Sequence, residues 1–143
     1  MKANRLSKTK GQSTVEFAFA IVFFIGFMLT IADIARICYT WAGLQFAVNE
    51  GARWGSVQNG ISSTTDLKNK IIAKGQELRV TINSNDITIY YPAGSRTSLG
   101  YFTVAATSTV TLTPFSGLLL SVAGNHSGTY RVAAETLIRN ENF

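Results

Sequence analysis

Two positions near the start of the chain have residue types and a spacing that could serve chemistry together. Gly11 precedes Gln12, and Glu16 follows four residues later, which is about one helical turn. If the peptide bond after Gly11 were cut, Gln12 would carry a new α-amino group. That cation could then pair with the Glu16 carboxylate of the same chain or of a neighbouring copy.

The other residues of catalytic type do not form a recognisable set. His126, the only histidine, lies in a turn-like stretch, and Asp86 and Glu135 are single carboxylates with no spacing that pairs them. The only cysteine, Cys38, is expected to be a small buried packing residue rather than a reactive thiol. The chain also lacks a Gly-rich phosphate loop. We therefore predict a protein that is not an enzyme and that needs no metal and no cofactor.

A long apolar segment surrounds Glu16. No charged residue occurs from Phe17 to Ala32, and a helix from Gly11 to Ala32 would be about 33 Å long, enough to cross a bilayer. A helix in a soluble core should show a polar face, and none appears here. The segment therefore predicts a transmembrane helix, with the lipid bilayer as a partner. A carboxylate in such a helix costs about 2–3 kcal/mol, so Glu16 either extends to lipid headgroups or finds a cationic partner.

The flanking charges predict the orientation of this helix. The first ten residues carry four positive charges and no acid, whereas Asp33 and Arg36 nearly cancel on the other side. By the positive-inside rule the N-terminus is cytoplasmic and the rest of the chain lies outside. A cleaved secretory signal would end in small residues, which the chain after Ala32 does not offer. The four charges that set the orientation belong to Lys2, Arg5, Lys8 and Lys10.

Beyond this basic leader the charge is nearly balanced, with nine basic and eight acidic residues. The net charge of +5 therefore belongs mainly to the leader, and we expect no nucleic-acid partner.

From Asp33 the apolar residues fall at helical spacing, so the helix is expected to continue to Ser56 as an amphipathic stalk. Gly51 and Gly55 fit its termination. The stripe predicted to pack against a domain comprises Ile34, Ile37, Trp41, Leu44, Val48 and Ala52.

The remainder predicts a small domain of mixed structure. Apolar spacing from Asp66 to Leu78 indicates one short amphipathic helix, after a loop from Val57 to Thr65. Alternation of apolar and polar residues predicts strands at Val80–Ile82, Ile87–Tyr91, Tyr101–Thr113 and Tyr130–Arg139. Phe115–Val122 is either an apolar loop or a short helical piece, a candidate contact with the membrane or another subunit. We expect an α+β fold, with a small antiparallel sheet packed on the long helix.

A basic leader, a glycine, a glutamate five residues later and an apolar helix resemble the type IV pilin superfamily. Further along, the chain is similar to TadE-like minor pilins, or pseudopilins, of the tight-adherence (Tad/Flp) systems. The stretches that carry this likeness are Val15–Ala18, Ile31–Arg36, Asn49–Gly55 and the closing Arg131–Glu141.

The resemblance implies a structural subunit in the bacterial cytoplasmic (inner) membrane and possible export into an extracellular pilus, or fimbrium, for adhesion or secretion. It implies cleavage between Gly11 and Gln12 by a membrane prepilin peptidase, and assembly through Glu16 and Phe17. The implied partners are other pilin subunits and the inner-membrane pilus assembly machinery. The expected layout is a leader at 1–11, a helix at 12–56 with its membrane part at 12–32, and an extracytoplasmic domain at 57–143. The alternative is a membrane-anchored binding module of TadE-like ancestry that does not assemble.

Overall fold

The structure is a computed structural model that describes residues 6–57, 64–91, 100–122, 124 and 128–139. Its helices are α1 (Leu6–Val57), α2 (Thr64–Glu77) and α3 (Pro114–Val122), with a short 3-10 turn at Ser84–Asp86. The strands are β1 (Ile87–Tyr90), β2 (Tyr101–Thr111) and β3 (Thr129–Arg139). The predicted α+β arrangement is confirmed, and the open choice for the apolar piece at 115–122 is resolved as a helix.

Helix α1 is 52 residues long and contains no proline, so no backbone N–H is lost along its length. It begins at Leu6, six residues before the predicted start at residue 12, and ends at Val57, one residue after the predicted end at residue 56. Lys8 and Lys10 of the leader fall within it, whereas Lys2 and Arg5 lie outside the described residues. The second half of the leader is therefore continuous with the long helix.

The three strands form one antiparallel sheet in the order β1-β2-β3. Ile87 pairs with Ala106 across β1 and β2, and Tyr101 pairs with Arg139 across β2 and β3. Burial alternates along β2, because successive side chains of a strand point to opposite faces. Three of the four predicted strands are confirmed, and the buried face of β2 carries Phe102, Val104, Ala106, Ser108 and Val110.

The chain divides into two compact units. The first comprises Met1–Ile34 and Leu112–Gly128, and the second comprises Ala35–Thr111 and Thr129–Phe143. The core of the second unit is formed where the later part of α1 packs with α2 and the sheet. Its largest fully buried side chains are Phe102, Leu44, Leu67, Ile71, Ile87, Val48 and Val104.

The buried stripe of α1 is only partly the predicted one. Leu44, Val48 and Ala52 are fully buried, but Ile34 and Trp41 are exposed. Gly51 does not terminate the helix, because α1 continues to Val57. A Cβ at Gly51 would overlap the buried side chain of Ile71, so glycine lets α1 and α2 approach closely.

The predicted strand at Val80–Ile82 is wrong, because these residues lie in the segment between α2 and the 3-10 turn, and Val80 takes part in the cap that ends α2. The N–H groups of Val80 and Arg79 donate to the carbonyls of Gly75 (2.8 Å) and Gln76 (3.0 Å), with Arg79 at φ 55°. This is a Schellman cap, which satisfies the last carbonyls of the helix. The Thr81 carbonyl accepts a hydrogen bond from the side-chain hydroxyl of Ser108, on β2, at 2.7 Å. This is a side-chain bond and not a backbone bond of a strand ladder.

Candidate membrane and assembly site

The first unit exposes a continuous apolar surface on α1. Between Val15 and Ile34, its exposed large apolar side chains are 39% to 74% accessible. Ile21 to Ile25 are five consecutive exposed apolar residues, and at 100° per residue they surround the helix. A helix that is apolar on every side is suited to a lipid environment rather than to one face of a soluble core.

The residues predicted for processing and assembly lie at the beginning of this surface. Gly11, Gln12, Glu16 and Phe17 are all exposed. The amide Nε2 of Gln12 donates to Oε1 of Glu16 at 3.1 Å, so the two side chains share one face of the helix. Within one chain, the structure therefore places the Glu16 carboxylate next to Gln12. This is the residue whose backbone nitrogen would become a free amine if the chain were cut after Gly11.

Farther along the same unit, α3 packs on the apolar part of α1. Gly26 is buried, and a Cβ there would overlap the ring of Phe115, the second residue of α3. The Thr30 hydroxyl, one turn later, donates back to the Gly26 carbonyl at 3.0 Å. Glycine at position 26 thus gives the Phe115 ring access to the helix backbone.

Asp33 fixes the beginning of α3. It is 2% exposed, and its Oδ2 accepts from the backbone N–H of Thr113 at 2.8 Å and from the Thr113 hydroxyl at 2.7 Å. Thr113 immediately precedes Pro114, the first residue of α3, and proline is well suited to that position. The carboxylate also lies at the helix end where the macrodipole favours negative charge.

The sequence does not predict this role of Asp33, because locally the residue is a charge at the flank of the apolar run that is nearly cancelled by Arg36. Eighty positions separate Asp33 from Thr113, so no local pattern connects them. Two features could have suggested the contact: a single carboxylate at the end of an apolar run, and a Thr-Pro pair before a second apolar segment.

Within the second unit, a cavity of about 650 Å³ is lined by α1, the end of α2 and β2. Two arginines, Arg36 and Arg79, contribute to its wall, together with Tyr39, Thr40 and strand threonines. In the part of the chain that the structure describes, no group of three His, Cys, Asp or Glu residues could hold a metal ion.

Two further residues of catalytic type can be compared with the sequence predictions. Cys38 is exposed, so the expectation of a buried packing residue is wrong. His126 lies outside the described residues.

By length and composition, one described helix is able to cross a membrane, from Gly11 to Val57, and only 11% of its most apolar 18-residue window is buried. Residues 11–53 match the family model of TadE-like protein. This segment of the chain is TadE-like. The TadE-like segment thus includes the exposed apolar surface and the whole amphipathic stripe up to Ala52.

The TadE-like match covers just under a third of the 143 residues. TadE-like proteins are associated with Tad pili and are of a structural rather than an enzymatic kind, and the likeness extends over the matched residues alone. The apolar helix and the TadE-like match together indicate membrane anchoring. No curated protein and no solved structure matches the chain.

Proposed function

We propose that the protein is a minor pilin, or pseudopilin, of a Tad-type pilus, and that it both inserts in the membrane and assembles through α1. The observation that carries the proposal is that the TadE-like match begins on the first half of α1, where the large apolar side chains from Val15 to Ile25 are exposed around the helix. Such a surface needs lipid before assembly and neighbouring helices after it. Trp41 and Phe46 extend this exposed surface beyond the membrane part.

The proposed processing frees the α-amino group of Gln12. A prepilin peptidase in the membrane cuts after Gly11, removes the basic leader, and leaves Glu16 as the fifth residue. The Glu16 carboxylate then pairs with the amine of a neighbouring copy. Support comes from its exposure and from the Gln12 side chain that already approaches it at 3.1 Å. Phe17, also exposed, packs beside the pair in the assembled helices.

The proposed location is the bacterial inner membrane, with residues 1–11 in the cytoplasm and the chain after the membrane part outside. The segment at 12–32 spans the bilayer, the helix continues to residue 56, and 57–143 form the extracytoplasmic domain. The partners are other pilin subunits and the assembly machinery of the inner membrane. The charge difference between the leader and the Asp33–Arg36 flank supports this orientation.

The experiment that tests the assembly role is Glu16→Ala in the producing cell, compared with Glu77→Ala at an exposed carboxylate in α2, outside the proposed assembly helix α1. Charged hydrogen bonds contribute about 1.5–3 kcal/mol, so we expect incorporation into pili to fall about tenfold to a hundredfold. The amount of protein in the membrane fraction should not fall. Immunoblots of sheared pili and of membranes give the two readouts. Normal incorporation of Glu16→Ala would contradict the role.

A second substitution separates assembly from tethering. Replacing residues 17–32 by a generic Leu/Ala helix keeps the membrane anchor but removes the specific surface of α1. The pilin proposal predicts that the chain stays in the membrane and that its function in piliation is lost. If piliation is unchanged, the helix only tethers, and the protein is a membrane-anchored binding module.

A further inference from the structure

Helix α3 has an apolar surface that the fold of the first unit leaves exposed. Its nine residues, Pro114 to Val122, include no charged side chain. Leu118 is 63% exposed and Val122 is 85% exposed. Burying such side chains contributes about 1.5–3 kcal/mol each, so their exposure to water would be unfavourable.

The contact with Gly26 gives the depth of α3 along the apolar segment. Gly26 is six residues before Ala32, the last residue of the charge-free run, which corresponds to about 9 Å along the helix. The Phe115 ring lies against Gly26. Helices at a membrane interface bury their apolar face by about 5–10 Å. The Phe115 ring at the start of α3 is therefore about 9 Å inside the apolar segment, within the depth that interfacial helices reach.

The polar groups of α3 have hydrogen-bond partners of the kind that a lipid environment requires. The Ser121 hydroxyl donates to the Leu118 carbonyl at 2.7 Å, and the buried Ser116 hydroxyl lies 3.3 Å from that of Thr113. The N–H and hydroxyl of Thr113 both donate to Asp33. In hydrocarbon no water satisfies such groups, and each unsatisfied one costs several kcal/mol.

We propose that α3 is a second membrane contact, a short helix that lies beside α1 with Leu118 and Val122 in the acyl chains of a phospholipid bilayer. The leaflet is the one at the Asp33 end of the apolar segment. The apolar surface of α1 is continuous with that of α3 at the Gly26–Phe115 contact, which favours lipid as the common neighbour. The inference rests on the proposed insertion of α1. It adds a second anchor, which is formed by α3, about 80 positions after the end of the apolar segment.

Site-directed spin labelling tests this in the full chain, reconstituted in phosphatidylethanolamine and phosphatidylglycerol vesicles. Cys38, the only cysteine, is first replaced by serine, and single cysteines are introduced as Leu118→Cys and Val122→Cys. Phe23→Cys reports insertion of α1, and Tyr90→Cys, on a residue 64% exposed in β1, reports the aqueous phase. Collision rates of each nitroxide with oxygen, which concentrates in lipid, and with a water-soluble nickel chelate are compared.

We expect oxygen collisions to exceed nickel collisions at Leu118, Val122 and Phe23, and the reverse at Tyr90. Nickel accessibility at Leu118 and Val122 equal to that at Tyr90, with Phe23 in lipid, would overturn the inference and leave α1 inserted. Low accessibility to both reagents at Leu118 and Val122 would also overturn it, because a protein neighbour would then cover α3. Nickel accessibility at Phe23 would contradict the proposed insertion of α1 itself.

Discussion

The first half of α1, from Gly11 to Ile34, leaves its large apolar side chains exposed, whereas the second half buries a stripe that includes Leu44, Val48 and Ala52. Both halves are rich in apolar residues, but only the second has polar residues between them at helical spacing. The difference teaches that hydrophobicity alone does not identify a protein core. The periodicity of the apolar residues separates two cases. A helix that is apolar all round is suited to lipid, whereas a helix with one apolar stripe packs that stripe against a core.

Each half also contacts a short helix through a glycine. In the first half Gly26 lies under the Phe115 ring of α3, and in the second Gly51 lies under Ile71 of α2. The surroundings of the two contacts differ, because Ile71 is fully buried in a core while Phe115 is partly exposed. A methyl group added at each of these two glycines should therefore change the free energy of unfolding by different amounts.

The largest expected effect compares two phenylalanines. Phe102 is buried in the core of the second unit, and Phe102→Ala should lower the free energy of unfolding by about 3–5 kcal/mol. Phe23→Ala, in the exposed half of α1, should change it by less than about 0.5 kcal/mol. Urea unfolding of the full chain in detergent, followed by tryptophan fluorescence, measures both. Equal effects would show that the first half of α1 belongs to the same core.

The next effect concerns Asp33. Asp33→Ala removes the acceptor of two hydrogen bonds from Thr113, and such charged bonds contribute about 1.5–3 kcal/mol. Amide hydrogen exchange at Gly117, which donates to the Thr113 carbonyl, should accelerate about tenfold to a hundredfold. Thr113→Val, which keeps the backbone donor, should have a smaller effect. Unchanged exchange in both variants would mean that Asp33 does not stabilise α3.

The two glycine contacts should differ in their tolerance of a methyl group. Gly51→Ala forces a shift of the buried Ile71 and should destabilise the second unit by about 1–3 kcal/mol, with partial relief in the double variant Gly51→Ala/Ile71→Ala. Gly26→Ala meets the far end of the Phe115 ring, which can turn away, so the urea midpoint should barely change. Equal midpoints for Gly51→Ala and the wild type would contradict this comparison.

The smallest effect is expected at a surface pair outside both glycine contacts. Lys74 Nζ lies 2.8 Å from Glu77 Oε2, and this hydrogen bond raises the pKa of Lys74 above its ordinary value of 10.5. The stabilising contribution is therefore complete below that value and is lost as the pH rises through the raised pKa. Glu77→Gln should lower the melting temperature slightly near neutral pH. The difference in melting temperature between the variant and the wild type should disappear above the raised pKa. If it persists there, the effect does not come from the charged Lys74–Glu77 pair.

Local patterns were sufficient to predict the second half of α1, α2 and three strands, because periods of 3.6 and 2 recur along those segments. The first half of α1 is predicted instead from the length of its charge-free run. The local patterns also placed Gly11, Gln12, Glu16 and Phe17 on one exposed helix. Val80–Ile82 was mistaken for a strand because its alternation is real, whereas the Schellman cap at Arg79 depends on backbone hydrogen bonds. The Asp33–Thr113 contact is a tertiary pairing of distant residues, which no window of sequence contains.

The most direct test of the proposed function is the intact mass and N-terminal sequence of the protein purified from its native envelope. The account predicts a chain that begins at Gln12, with the four positive charges of the leader removed. Such a chain would present the α-amino group that Glu16 is proposed to bind in a neighbouring subunit. A chain that still begins at Met1 would contradict cleavage at Gly11, remove the proposed partner of Glu16, and favour a tethered binding module.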